Sequence, residues 1–282
     1  FTDKNLDNSA EGKVVFDSNL DYPYGLDYYE NDLYVVTNTK AIVYREFLSQ
    51  LEKGISEYEV LIPNLAPNKI NKNKTILVRD KKLLISSPAD CNKCIEQDTR
   101  KSAITQYSKE GNPETLFAKG LGNIQKMSYY KNSLYALDLA PEDSKKNIFD
   151  ELNIIEQKKF YGFPYFYNYG IKDIEVPTPP KNFDLKNPAA LFIKDSNPIG
   201  FAFMDNKFGL NQSLLVSYYG DGDNISNNAF KIISIDKDQK ESTFLQGFNV
   251  SGRVWGRPKD IVNFRDGVLV TDDVGGFLYF IK

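Results

Sequence analysis

Histidine is absent from the 282 residues, and that absence excludes more than any residue present. Without an imidazole there is no Ser-His-Asp triad, no Cys-His dyad and no histidine-ligated zinc. Cysteine is nearly absent too: Cys91 and Cys94 are the only two. Two thiols without histidine cannot complete an ordinary structural zinc site unless carboxylates join them. The pair also lies in a loop rather than at a helix start, so a local disulfide is a better reading than a redox motif. No apolar run approaches the roughly 20 residues that a membrane-spanning helix needs. A net charge of −3 gives no electrostatic footprint for nucleic acid or an anionic membrane. Phe1 is not an initiator residue, from which we expect a removed upstream segment and a mature periplasmic or secreted protein.

What is present favours sheet. Against a single Trp stand 19 Phe and 18 Tyr, and such residues suit a pleated, half-buried surface. Self-similarity emerges in "YGLDYYENDLYVVTN", "KTILVRDKKLLISSP", "QKMSYYKNSLYALDL", "IGFAFMDNKFGLNQSLLVSYY" and "KDIVNFRDGVLVTDD". Each reads as strand, polar turn, strand. An apolar strand precedes each, from "KVVFDSNL" to "STFLQGF", and another follows, from "AIVYREF" to "GFLYFIK". Five clear units of four short strands predict an all-β fold, a β-propeller of four-stranded blades forming one domain over 1–282. Helix signals are scarce, "YREFLSQLEKG" supplying one short turn. The interval Lys158 to Lys186, with "FYGFPYFYNYG" and "EVPTPPKNF", breaks the rhythm and reads as an insertion or a degenerate blade. Its aromatic run reads as packing ahead of a stacking platform.

In a propeller the loops at the innermost strands converge on a central channel, so functional groups are expected beside each hairpin. These positions are Tyr24, Asn71 to Lys74, Gly122 to Gln125, Tyr218 to Asn224 and Arg257 to Asp260. At this point the motifs resemble the soluble glucose/sorbosone dehydrogenase family, propellers that use pyrroloquinoline quinone (PQQ). The resemblance is carried in chain order by "SPADCNKC", "FAKGLGNIQKM", "DELNII…YGFPYFY", "NPIGFAF" and "WGRPKDIVNFRDGVLVTDDVGG". It implies six blades, the irregular interval supplying one, a quinone cofactor and a cofactor calcium.

Carried over residue by residue, the resemblance assigns Arg257 and Lys259 to the anionic quinone, with Asn123 and Gln125 as polar partners. Gly122 stands where the family has arginine. The loop Leu139-Ala140-Pro141, followed by Glu142 and Asp143, corresponds to one whose backbone carbonyls hold Ca²⁺, with Ala140 and Pro141 as the expected ligands. The catalytic histidine has no counterpart: Ile70 and Asn71 occupy its neighbourhood, and Tyr219 stands where some members carry histidine. Asp90 and Asp221 are the weak candidates for a substitute base, since burial can raise a carboxyl toward neutrality. "NKINKNK" (68–74) and "DKDQKE" (236–241) read as solvated turns. As a hypothesis, the first would turn the base position into an anion-friendly surface. "YGDGDNISNNAF" lacks the glutamate of an EF-hand and also reads as a solvated loop.

The expectation is therefore an exported propeller whose channel binds a small-molecule ligand, sugar or quinone, with dehydrogenase activity lost or weakened. The alternatives are an active quinone-dependent sugar or aldehyde oxidoreductase with a carboxylate base, and a calcium-dependent hydrolase or lactonase using Asn123, Asp221 and Asp260.

Overall fold

The computed structural model describes residues 5, 7, 9–141, 147–177, 179, 184–220 and 228–282. Its fold is a β-propeller of five blades, each an antiparallel sheet. The chain divides into two compact units, one formed by 1–91 and 96–117, the other by 92–95 and 118–282.

The first unit carries two blades. Blade 1 comprises β1 (Gly25–Tyr29), β2 (Asp32–Val36), β3 (Ala41–Tyr44) and β4 (Glu59–Ile62), with the short helix α1 (Phe47–Lys53) between the last two. Blade 2 comprises β5 (Ile76–Arg79), β6 (Lys82–Ser87), β7 (Ala103–Ser108) and β8 (Pro113–Lys119). Both opening hairpins turn through two residues of positive φ, Glu30-Asn31 and Asp80-Lys81. That is the backbone twist a tight hairpin requires, and Asn and Asp tolerate it best among non-glycine residues. Tyr34, Val36 and Val43 of blade 1 pack with Ile76, Val78, Leu83 and Ile85 of blade 2 in one buried cluster.

The second unit carries three blades. In blade 3, β9 (Ile124–Tyr130), β10 (Ser133–Asp138) and β11 (Glu151–Ile155) pair in sequence. The chain then makes an excursion that holds the small hairpin β12 (Phe166–Tyr167) and β13 (Ile171–Lys172). It returns to set β14 (Ala190–Leu191) on β11 as the fourth strand. The irregular interval is thus an insertion within blade 3. Among the described residues it forms no sixth blade, because its prolines and paired aromatics leave only two-residue strands.

Blade 4 is β15 (Pro198–Lys207), β16 (Leu210–Tyr218), β17 (Lys231–Ile235) and β18 (Glu241–Leu245). A hairpin of β19 (Asn249–Val250) and β20 (Arg253–Val254) leads to blade 5, β21 (Pro258–Phe264), β22 (Gly267–Asp272) and β23 (Leu278–Ile281). Blade 4 is buried on both faces. Leu214, Val216 and Tyr218 meet Leu137, Leu152 and Phe192 of blade 3, while Leu215 and Ile232 meet Ile261, Val268 and Val270 of blade 5. Alternation along β16 sends successive side chains to opposite neighbours.

Two sequence expectations change. The apolar strand before each hairpin belongs to the preceding blade as its outer strand, so repeat and blade are out of phase. The first of these segments, "KVVFDSNL", forms no strand; Phe16 instead packs edge-on against Tyr44 and Phe47, ring centroids 5.0 Å from each.

Candidate functional site

Blade 3 places three buried carboxyl groups near the ends of its strands. Asp138 closes β10 and Glu151 opens β11, and the two are register partners across the hairpin. Asp150 adjoins them. Asp138 is buried and accepts hydrogen bonds from the Gly122 and Asn123 amides. Asp150 accepts from the Ala140 amide at 2.9 Å, and Glu151 from the Asn153 side chain at 3.2 Å. Desolvation dominates all three, and among the described residues no lysine or arginine counters it. Asp138 is pushed up to about 7 despite its two amides, and Asp150 to about 7 despite the Ala140 amide. Glu151 is pushed up to about 8 by burial and then by the charge of Asp138.

Asp138 and Glu151 line a cleft together with the segment Leu139, Ala140 and Pro141. Its aromatic wall is Phe149, Tyr161, Phe163, Phe166 and Tyr167. Phe149 is held by the Asn168 side chain, which accepts from its amide at 3.0 Å and donates to the Asn147 carbonyl at 2.9 Å. The aromatic run thus packs and walls a cleft at once: Phe160, Tyr161, Phe163, Tyr165 and Tyr167 are all buried. Oxygen donors of this kind suit a hard cation such as Ca²⁺, but among the described residues the three carboxyls do not converge within reach of a single ion. The groups at the cleft that offer oxygen are Asp138, Glu151 and the Ala140-Pro141 segment. The spacing of three acids over 138–151 carries no ligand motif; the signal was the quoted "DELN" and the aspartate ending "YALDL". Glu142, Asp143 and Asp221 lie outside the described residues.

A second polar cluster lies in the same unit at the start of blade 5. The Arg257 guanidinium stands 5.0 Å from the Tyr219 ring centroid and 5.2 Å from that of Phe230. Tyr219 donates its hydroxyl to Asp273 at 2.7 Å, and Lys259 reaches the same oxygen at 3.5 Å. Buried Asp272 organises the backbone here. Its Oδ1 accepts from the Arg257, Val274 and Gly275 amides, and its Oδ2 from the Tyr279 hydroxyl. Asn123 and Gln125 are brought together, Gln125 donating to the Asn123 side chain at 3.0 Å. The neighbouring Lys126 spans to blade 5, donating to Asp260 and, at 2.8 Å, to the Ile261 carbonyl. Gly122 leaves no room for the resembled arginine without movement, since a Cβ there would stand 3.2 Å from the Phe163 ring.

In the first unit, the loop before β5 differs from the solvated turn read in the sequence. Asn68 and Lys74 are buried, at 2% and 0% exposure. Asn68 is a hub: its amide and carbonyl pair with the Asn38 side chain, its Nδ2 donates to the Pro88 carbonyl, and its Oδ1 accepts from Ser87 and Lys74. Asn71 donates to the Ala89 carbonyl, and Ile70 is 71% exposed. Asp90 accepts from the Lys69 and Ile70 amides and from Lys101 at 2.9 Å. Burial opposes its charge, but those donors outweigh burial and hold the carboxyl below its ordinary range. Cys91 and Cys94 are disulfide-bonded, as the sequence reading expects.

No family model matches the chain. An uncharacterized protein of Borreliella burgdorferi is 27% identical over 290 residues, covering 92% of this chain and 75% of its own. The PQQ domain of pyranose dehydrogenase from Coprinopsis cinerea, solved in its holo form, superposes with a TM-score of 0.75 at 12% identity, covering 99% of this chain and 86% of that one. The soluble aldose sugar dehydrogenase of Escherichia coli, solved in its apo form, gives 0.63 at 17% identity, with coverages of 89% and 77%. The fold is therefore that of the PQQ-dependent sugar dehydrogenases, the class that the ordered motifs resemble. Among the described residues no helix is long and apolar enough to cross a membrane.

Proposed function

We propose that this chain is an exported, ligand-binding propeller of the sugar-dehydrogenase fold that carries Ca²⁺ at blade 3 and has lost or nearly lost dehydrogenase activity. The observation that carries this reading is the loop before β5. Where the resembled family places its base, the chain has an exposed Ile70, an Asn71 amide committed to a carbonyl and a buried Lys74 ammonium. Neither Ile70 nor Asn71 accepts a proton from a sugar hydroxyl near neutral pH, and Lys74, lowered to about 8, is mostly protonated there. Calcium is supported by Asp138 and Glu151 lining one cleft with the Ala140-Pro141 segment. Arg257 and Lys259 would contact an anionic ligand such as PQQ, which in active relatives of the fold accepts hydride.

The test is titration of the calcium-loaded chain with PQQ, followed by an aldose panel and a dye acceptor in the same cuvette. Calcium binding without turnover is expected, and sustained turnover would overturn the reading. The second reading, an active oxidoreductase with a substitute carboxylate base, is favoured by one feature: the blade 3 carboxyls sit near neutrality rather than near 4. Turnover that Glu151→Gln abolishes would support it.

A further inference from the structure

Lys74 is a buried cation to which the described structure gives no anion. Its ammonium has three donors, and one acceptor is present, the neutral amide oxygen of Asn68, which also takes the Ser87 hydroxyl. The charged groups that face Lys74 are Lys101, Asp90 and Arg100. Asp90 is the single acid among them, and its oxygens are already engaged by two backbone amides and Lys101. Arg100 is paired with Asp98 at 2.6 Å. Burying an unpaired ammonium costs several kcal/mol in an ordinary core, so such groups are normally paired. Desolvation, then the positive charge of Lys101, lowers Lys74 to about 8, which leaves it mostly protonated at neutral pH.

The loop 68–74 adds Lys69 and Lys72 to the same segment, and Lys72 lies 3.8 Å over the Tyr22 ring centroid. The hub Asn68 fixes this loop to the turn at Asn38 and to the Ser87-Pro88 exit of β6, so the ammonium is held by three segments rather than carried on a mobile side chain. The exposed Ile70 and the partly exposed Asn71 form the outer cover of this loop.

We propose that Lys74 anchors a binding site for a small carboxylate at the entrance of blade 2. The carboxylate takes the two remaining ammonium donors and supplies the negative charge that this cluster lacks. The inference rests on reading the chain as a ligand-binding propeller. It names the ligand class for the first unit: an organic acid, with a sugar acid as the probe.

The experiment is calorimetric titration and thermal melting of the full chain, saturated with calcium, using D-gluconate, acetate, D-glucose and sodium chloride. Wild type is expected to bind gluconate and acetate at pH 7 and to ignore glucose. Affinity should fall at least tenfold at pH 9.5, where Lys74 is neutral. Lys74→Met should abolish the carboxylate response while retaining the far-ultraviolet spectrum and cooperative melting of ligand-free wild type, which report that the variant is folded. The pH dependence in wild type tests the same point without a variant. Undiminished binding by Lys74→Met, no carboxylate binding by wild type, or an equal response to chloride would each overturn the proposal. None of these outcomes changes what the quinone and aldose assay measures, so the two readings fail separately.

Discussion

At the residue scale, Lys74 and Asp272 show how few groups decide the behaviour of each end of the chain. The lysine has a folded pKa of about 8 against an ordinary 10.5. Between those values the unfolded chain holds a proton that the folded chain has released, so stability rises with pH across that window. Chemical denaturation from pH 7.5 to 10.5 should show this rise in anion-free buffer, and Lys74→Met should flatten it and match or exceed wild type at pH 7. Asp272 is 4% exposed and serves three amides and a hydroxyl. Asp272→Ala leaves these donors unmet, at about 3 kcal/mol or more. Urea melts should show that loss, together with weakened binding of any anion held by Arg257.

At the scale of elements, blades approach one another closely where a side chain has been dispensed with. A Cβ on Gly200 of β15 would stand 2.3 Å from the Lys259 carbonyl of β21, a backbone atom that cannot step aside. The Ser217 hydroxyl bridges the same gap, meeting the Gly200 amide and the Lys259 carbonyl, each at 2.8 Å. Gly200→Ala should therefore cost about 2 kcal/mol, read as a lower melting midpoint. The Lys126 tie to Asp260 and the Ile261 carbonyl, which spans blades 3 and 5, should slip with it. Backbone hydrogen exchange in β9 and β21 would report that loosening ahead of β22.

For the whole molecule, the proposed calcium would have the widest consequence. A cation present at a hundredfold excess over its dissociation constant adds about 2.7 kcal/mol to stability. The melting temperature should fall on chelation and recover on adding Ca²⁺, and Asp138→Asn or Glu151→Gln should make the chain indifferent to both. The blades were legible in the sequence because each hairpin writes its own local rule, alternating apolar residues around turns such as Glu30-Asn31. The disulfide and the packed aromatic run were legible for similar reasons of composition. The carboxyl pair was not, since Asp138 and Glu151 meet only through sheet pairing. Nor was the burial of Lys74, because a segment reading "NKINKNK" gives no hint that Asn68 draws three loops over it. The boundary of each unit was misplaced by one strand, since an outer strand and the next inner strand are both short apolar runs.

The insertion between β11 and β14 sets an order of assembly. β9 and β10 pair through a tight turn and β10 and β11 across the segment 139–150, whereas Leu152 and Ala190 must find one another across the longer excursion. Closing a longer loop costs more chain entropy, and such contacts form late. The walls contributed by Phe163, Phe166 and Tyr167 belong to that excursion, while Asp138 and Glu151 belong to the early hairpin. The acids are thus gathered before they are enclosed. If the proposed cation binds beside Asp138 and Glu151, it would meet them while they are still open to water and be walled in by the last part of the blade to settle, so its release would follow the unlatching of the insertion.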